Sequence, residues 1–206
     1  MRLAAKACTG ALAAALSALS MAAAAAPGFQ TGDMVFQQSR SAQSLAIQQA
    51  THSPYSHMGM IVTHQGRPYV LEAAARVSYT PLSQWIAQGE RGHYVVKRLR
   101  DASLLTPDTR DKLAKAGAAY VGKPYDLVFA WSDDQIYCSE LVWKIYQRVL
   151  GVKVGALAPL KSFDLASPAV QAKMQERYGK NIPWEEPIIS PAAMFESDQL
   201  VTVGTF

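Results

Sequence analysis

Two cysteines occur in the chain, and one of them, Cys138, heads a strongly amphipathic segment. Cys138, Leu141, Val142, Ile145, Tyr146 and Val149 recur at helical spacing, and Gly151 stops the run. The other, Cys8, lies within an N-terminal stretch that has the marks of an export signal, so the exported chain would keep a single thiol. Structural cysteines in an oxidising compartment come in pairs. An unpaired one is either a small buried hydrophobe or a reactive group. Its position favours the second reading, because unpaired N–H groups and the macrodipole at a helix start stabilise a thiolate, the reactive form. Cys138 is therefore expected to be an accessible nucleophile.

A thiol nucleophile needs a base within hydrogen-bond reach and a third group to orient that base. Four histidines are available: His52, His57, His64 and His93. His52 precedes Ser53-Pro54 and His64 falls in a turn, so both read as solvated loop residues. His93 begins a strand and can face either way. His57 begins the first strand of a hairpin, where a rigid element would hold its ring. The apolar runs 57–63 and 68–73 flank His64-Gln65-Gly66-Arg67, a hairpin signal. With the turn centred on Gln65-Gly66, Gly59 faces Glu72, and His57, Gly59 and Glu72 share one sheet face. Glu72 is then diagonal to His57, and Gly59 puts no side chain between them. Glu72 is also a lone carboxylate in the apolar segment Val70–Ala75, costly to bury unless paired. A one-residue slip would undo the arrangement.

The elements that must position these groups read as follows. A short strand covers Met34 to Phe36 and a helix Ser44 to Thr51. Thr80-Pro81 is expected to cap a short helix through Trp85 and Ile86. A strand spans His93 to Arg98, and Thr106-Pro107 opens a helix that runs to about Tyr120. After the Cys138 helix, Ser167-Pro168 opens another helix that ends near Gly179. Ser190-Pro191 opens one or two turns, and Leu200 to Val203 form a last strand. Strands and helices fall into blocks rather than βαβ units, so the fold class is α+β.

Several segments resemble a known family. Val121-Gly122-Lys123-Pro124-Tyr125-Asp126 and Tyr137-Cys138-Ser139-Glu140-Leu141-Val142 resemble the catalytic-cysteine region of the NlpC-type papain-like cysteine hydrolases. Ser56-His57-Met58-Gly59-Met60-Ile61-Val62 resembles their histidine strand, and Leu71-Glu72-Ala73 their third polar position. Cysteine comes first in the standard order. Here His57 and Glu72 precede it, as in the circularly permuted, YiiX-like branch. The resemblance implies a permuted papain-like fold, a small antiparallel sheet or barrel packed against helices. It implies a Cys138-His57-Glu72 triad, with Tyr125 helping to bind substrate or oxyanion. Hydrolysis of an amide or acyl bond through a thioester follows, on cell-wall peptides or acylated amino compounds. Tyr137-Cys138-Ser139-Glu140 replaces the Asp-Cys-Ser-Gly of peptidoglycan endopeptidases, so their substrate preference does not transfer. A lipid-directed acyl hydrolase or acyltransferase, or an inactive binding module, are the competing readings. An apolar tunnel beside Cys138 would favour acyl chains, and a wide polar groove peptides.

Composition bounds the rest. Arg2 and Lys6 precede an Ala/Leu run that ends before Pro27, so residues 1–26 read as a signal peptide and 27–206 as one hydrolase domain. A periplasmic or secreted protein is expected, with no stable membrane span after processing. Removing Arg2 and Lys6 from 20 basic residues leaves 18 against 16 acidic ones. With no basic cluster interleaved with aromatics, no nucleic-acid partner is expected, and a small substrate is. No cofactor is expected. His52, His57 and Glu72 lack an accepted metal-ligand spacing and a fourth group, so no metal is expected either. Trp131, Asp133 and Asp134, just before the helix, are candidates to line the pocket. Glu140, in its first turn, reads as a complement to the helix dipole.

Overall fold

The computed structural model describes residues 28–206, and the signal-peptide expectation for residues 1–26 lies outside them. The strands are β1 (Met34–Ser39), β2 (His57–His64), β3 (Arg67–Ala73), β4 (Val77–Pro81), β5 (Gly89–Leu99), β6 (Ala158–Pro159), β7 (Pro187–Ile188) and β8 (Leu200–Thr205). The helices are α1 (Ser44–Thr51), α2 (Leu82–Ala87), α3 (Pro107–Ala118), α4 (Cys138–Leu150), α5 (Pro168–Tyr178) and α6 (Pro191–Phe195). Six strands form one open antiparallel sheet in the order β4-β3-β2-β1-β5-β8, and β6 pairs with β7 apart from it. The class is α+β, as expected.

Alternation along the strands gives the sheet two apolar faces, because successive side chains point to opposite sides. Met34, Phe36, Met58, Met60 and Leu71 meet Leu141, Val142 and Ile145 of α4 in the main core. Each such fully buried aliphatic side chain contributes about 1.5–3 kcal/mol by leaving water. Val35, Ile61, Val70 and Val96 pack against Leu82 and Trp85 of α2 on the other face. Gly117 of α3 lets that helix close on the main core: a Cβ there would meet Leu71 Cδ2 at 2.3 Å. The two ends of the described chain meet across β5, where the Phe206 ring stacks on Tyr94 at 4.8 Å and lies edge-on to Phe29 at 5.7 Å.

The caps follow the sequence. Thr106 and Ser167 accept hydrogen bonds from the backbone N–H groups of Thr109 and Val170, each followed by Pro in the first helical turn. Gly151 closes α4 in the left-handed region with φ 69°. The β2–β3 hairpin turns through Gln65 and Gly66, with φ 50° and 72°, as a two-residue hairpin loop requires. Its register pairs Met60 with Leu71 and Ile61 with Val70, the register read from the sequence.

One element differs. Thr80-Pro81 ends strand β4 rather than capping a helix, and α2 begins one residue later, at Leu82, with no side-chain cap. Val77-Ser78-Tyr79-Thr80 is rich in β-formers, and pairing with β3 outweighs the local capping signal. This strand sits at the sheet edge, where a terminal Pro costs no ladder hydrogen bond.

Candidate active site

Cys138 is the first residue of α4 and His57 the first residue of β2, so both stand at the starts of rigid elements. The helix packs on one face of the sheet, while His57 and Glu72 belong by alternation to the face covered by α2. The histidine ring, at the strand's end, bridges the two. Its Nε2 lies 2.5 Å from Glu72 Oε2, which leaves Nδ1 as the ring nitrogen for the thiol. Burial pulls the His57 pKa down. The neighbouring Cys138 and the bonded Glu72, with their negative charge, overcome it and raise it to about 10. An imidazolium is thus the favoured form at neutral pH.

Glu72 is 1 % exposed. Burial pushes its carboxyl up, but the His57 contacts, then the Thr80 hydroxyl and the Trp85 indole, hold it below the usual carboxylate range. Thr80 Oγ1 donates to Glu72 Oε1 at 2.5 Å. Trp85 lies 6.1 Å from the His57 ring and is fully buried, its indole nitrogen facing the carboxylate without full hydrogen-bond geometry. Gly59 is required for this approach, because a Cβ there would meet Val70 Cγ1 at 2.4 Å and the Leu71 carbonyl oxygen at 2.7 Å.

Tyr125 stands beside the thiol. Burial, followed by the negative charge of Cys138, lifts its hydroxyl well above the usual tyrosine range, so it stays a proton donor. That hydroxyl accepts from Gln43 Nε2 at 2.9 Å, which leaves its own proton free to point elsewhere. The α4 start is fixed from behind: Ser139 donates to the Ile189 carbonyl at 2.8 Å and Tyr137 N–H to Glu140 Oε2 at 3.3 Å.

Two cavities meet at this cluster. One, of about 90 Å³ with an open mouth, is largely apolar and runs from Cys138 and Tyr125 past Ile47, Leu160, Phe163 and Met174. The other is a wider and more polar cleft, bordered by His57, Tyr125, Ser39, Arg40 and Gln43. Tyr125, Lys173 and Arg177 line both. The expected accessibility of Cys138 needs correction. It is only 3 % exposed, and it is reached through the apolar cavity rather than from open solvent.

Other sequence expectations resolve differently. Trp131, Asp133 and Asp134 line neither cleft. Trp131 packs edge-on to Trp143, and Asp133 pairs with Lys144 at 3.0 Å and Arg148 at 2.7 Å. Glu140 does complement the start of α4, where it accepts from the Tyr137 N–H, but it is also fully buried and 2.7 Å from Lys144. Burial raises its carboxyl to about 7 against the pull of that lysine. His52 pairs with Asp164 at 3.2 Å on the surface, and His93 Nδ1 meets the Phe206 carbonyl at 2.7 Å, both away from the cluster. Thr80, Trp85, Gln43 and Arg177 were not singled out from the sequence. Recognising β4 would have revealed Thr80, because β4 pairs Ser78 with Glu72 and Thr80 with Val70, putting Thr80 diagonal to Glu72 on the same face. Gln43 and Arg177 carry no local signal, since long-range packing alone brings them in.

Comparison with known proteins gives the family and the fold. The family model of permuted papain-like amidase enzymes, YaeF/YiiX, C92 family, matches residues 28–204. YiiX of Escherichia coli strain K12, itself named as uncharacterized, is 58% identical over 175 residues, 85% of this chain and 86% of its own. A crystal structure of YiiX from Escherichia coli O157:H7, described as a metalloprotein, has a TM-score of 0.82 at 57% identity. It covers 86% of this chain and 97% of that one. In this chain, among the described residues, no three His, Cys, Asp or Glu side chains are grouped so as to hold a metal ion. Likewise, no helix among those residues is long and apolar enough to cross a membrane. The antiparallel sheet with its helices and the family match over residues 28–204 agree: the chain belongs to the permuted papain-like amidases of the YaeF/YiiX type, cysteine hydrolases by class.

Proposed function

We propose that this protein is an exported thiol hydrolase that cleaves an amide or acyl bond of acylated amino compounds through a Cys138 thioester. The observation that carries the reading is the meeting of an apolar cavity, at Cys138, with a polar cleft, at His57. A thioester keeps the acyl part on sulfur while the leaving group departs past the general acid. An apolar acyl portion therefore suits the cavity and a polar amine or alcohol the cleft. Cell-wall peptide, polar throughout, suits only the second. Arg2, Lys6 and the apolar run after them support export.

The steps balance on the residues present. Cys138 thiolate attacks the carbonyl carbon, and the oxyanion is held by the Cys138 backbone N–H and the Tyr125 hydroxyl. Collapse breaks the C–N or C–O bond, and the leaving group takes the proton from His57. Water then gives a proton to His57 and its oxygen to the thioester carbon. The acid departs, and the sulfur and imidazolium return to their starting state. Glu72 holds the ring's orientation and stabilises its charge throughout.

The test is intact-mass spectrometry after brief incubation with N-acyl amino acids, peptide fragments and acyl esters. An acyl adduct on wild type that is absent from Cys138→Ala supports the reading, and the adduct's identity separates acyl from peptide substrates. A reactive thiol that never acquires an adduct while His57→Ala behaves as wild type removes the hydrolase reading and leaves a binding module.

A further inference from the structure

Arg177, in the last turn of α5, presents a half-buried guanidinium at the wall common to both cavities. Among the described residues no carboxylate lies within 4.0 Å of it, whereas the neighbouring Lys173 is paired with Glu176 at 2.6 Å. One terminal nitrogen donates to Gln43 Oε1, the plane lies over the Phe129 ring at 4.4 Å, and Nε is buried without a hydrogen-bond partner. Asp126 feels its charge but turns one oxygen to the Val128 backbone N–H at 2.8 Å. A guanidinium fixed by an amide and an aromatic face, with donors unspent, is prepared for a planar anion, since its fork matches a carboxylate. Its fixer, Gln43, is also the residue hydrogen-bonded to Tyr125, so the cation is one side chain removed from the oxyanion donor.

We infer that Arg177 forms a carboxylate subsite at the junction of the two clefts and that the preferred substrates are N-acyl amino acids with a free α-carboxylate. This rests on the hydrolase reading above for its chemistry, but not for its binding. In such a compound the carboxylate is separated from the scissile nitrogen by a single carbon. A site next to Tyr125 is therefore at the right remove, with the acyl chain in the apolar cavity and the amino-acid part in the polar cleft. The bonds made and broken are those already given, and the leaving group is the amino acid.

Binding and turnover test it separately. In Cys138→Ala, calorimetry should show N-lauroylglycine binding roughly ten- to hundredfold more tightly than N-lauroylglycinamide, the range for a hydrogen-bonded charged group. Adding Arg177→Gln should erase that difference by weakening only the carboxylate ligand, with the unfolding midpoint retained. Equal affinity for the two ligands before the second substitution, or an equal loss for both after it, overturns the subsite and makes Arg177 a support for Gln43 and Tyr125. If the binding preference is present but wild type hydrolyses neither compound, the subsite stands and the hydrolase reading fails.

Discussion

Thr80 donates its hydroxyl to the carboxylate that holds His57: Thr80 Oγ1 lies 2.5 Å from Glu72 Oε1, and Glu72 Oε2 lies 2.5 Å from His57 Nε2. The threonine thus spends one carboxylate oxygen and directs the other at the ring. Glu72→Gln should retain the fold and lower kcat by about 10²- to 10⁴-fold, because the imidazolium loses its counter-charge. Thr80→Val leaves a buried acceptor unpaired, at a cost of about 1–3 kcal/mol, and should lower kcat by less than Glu72→Gln does. Steady-state kinetics on both variants checks the order. A Thr80→Val defect equal to that of Glu72→Gln would make Thr80 the main orienting group.

The His57 pKa sets the pH window. It is raised from 6.5 to about 10, so its contribution to stability is fully present below about 6.5 and is lost as pH rises through about 10. The urea midpoint of the wild type should fall across that window, and that of His57→Gln should fall less. The alkaline limb of the kcat/KM profile should move to lower pH in Glu72→Gln, because one of the groups that raises His57 is gone. An unmoved limb would detach that pKa from the histidine.

Lys144 is the only cation paired with the buried Glu140 among the described residues, at 2.7 Å, and it also holds the Ser132 carbonyl at 2.6 Å. Lys144→Met should cost about 3–5 kcal/mol at pH 8, because the buried carboxyl loses its cation and must either stay ionised alone or take up a proton. At pH 5 the cost should be much smaller. The folded carboxyl is raised to about 7 from 4.5, so it is already neutral there, and the stability its neutral form contributes is complete below about 4.5 and lost as pH rises through about 7. Urea unfolding at the two pH values measures the difference.

Gly59→Ala is expected to cost about 1–3 kcal/mol, because the added methyl must displace Val70 Cγ1 and backbone at Leu71. The strand shift needed would also part His57 from Glu72. Chemical denaturation and kinetics on this variant should therefore fall together, whereas Gly66→Ala has open space around it and strains only the turn.

The hairpin register, the caps of α3 and α5 and the α4 stripe were legible because each is local: a two-residue turn, a Thr-Pro or Ser-Pro pair, a 3.6-residue period. His57 and Glu72 were found through that register, and their contact has the geometry it implied. The sequence misleads at Thr80 because two roles compete at one position. Thr-Pro is a capping signal, yet β4 needs it as the last pair of an edge strand. The place of Glu140 at the helix start is likewise local, whereas its complete burial comes from tertiary packing that its position in the first turn does not report. The cavities, and with them Gln43 and Arg177, come from α1 and α5 packing together across a long stretch of sequence, which no window of neighbouring residues reports.

The Phe29–Phe206 contact has a consequence for chain order. Because the two described ends lie against each other, a short linker could join them without moving any strand, and the chain could be reopened in the 119–137 loop ahead of α4. Read from that new start, the polypeptide runs cysteine, histidine, glutamate. The cluster depends on where the elements rest in space and is indifferent to which end of the polypeptide is made first, so the rewired chain should fold to the same site.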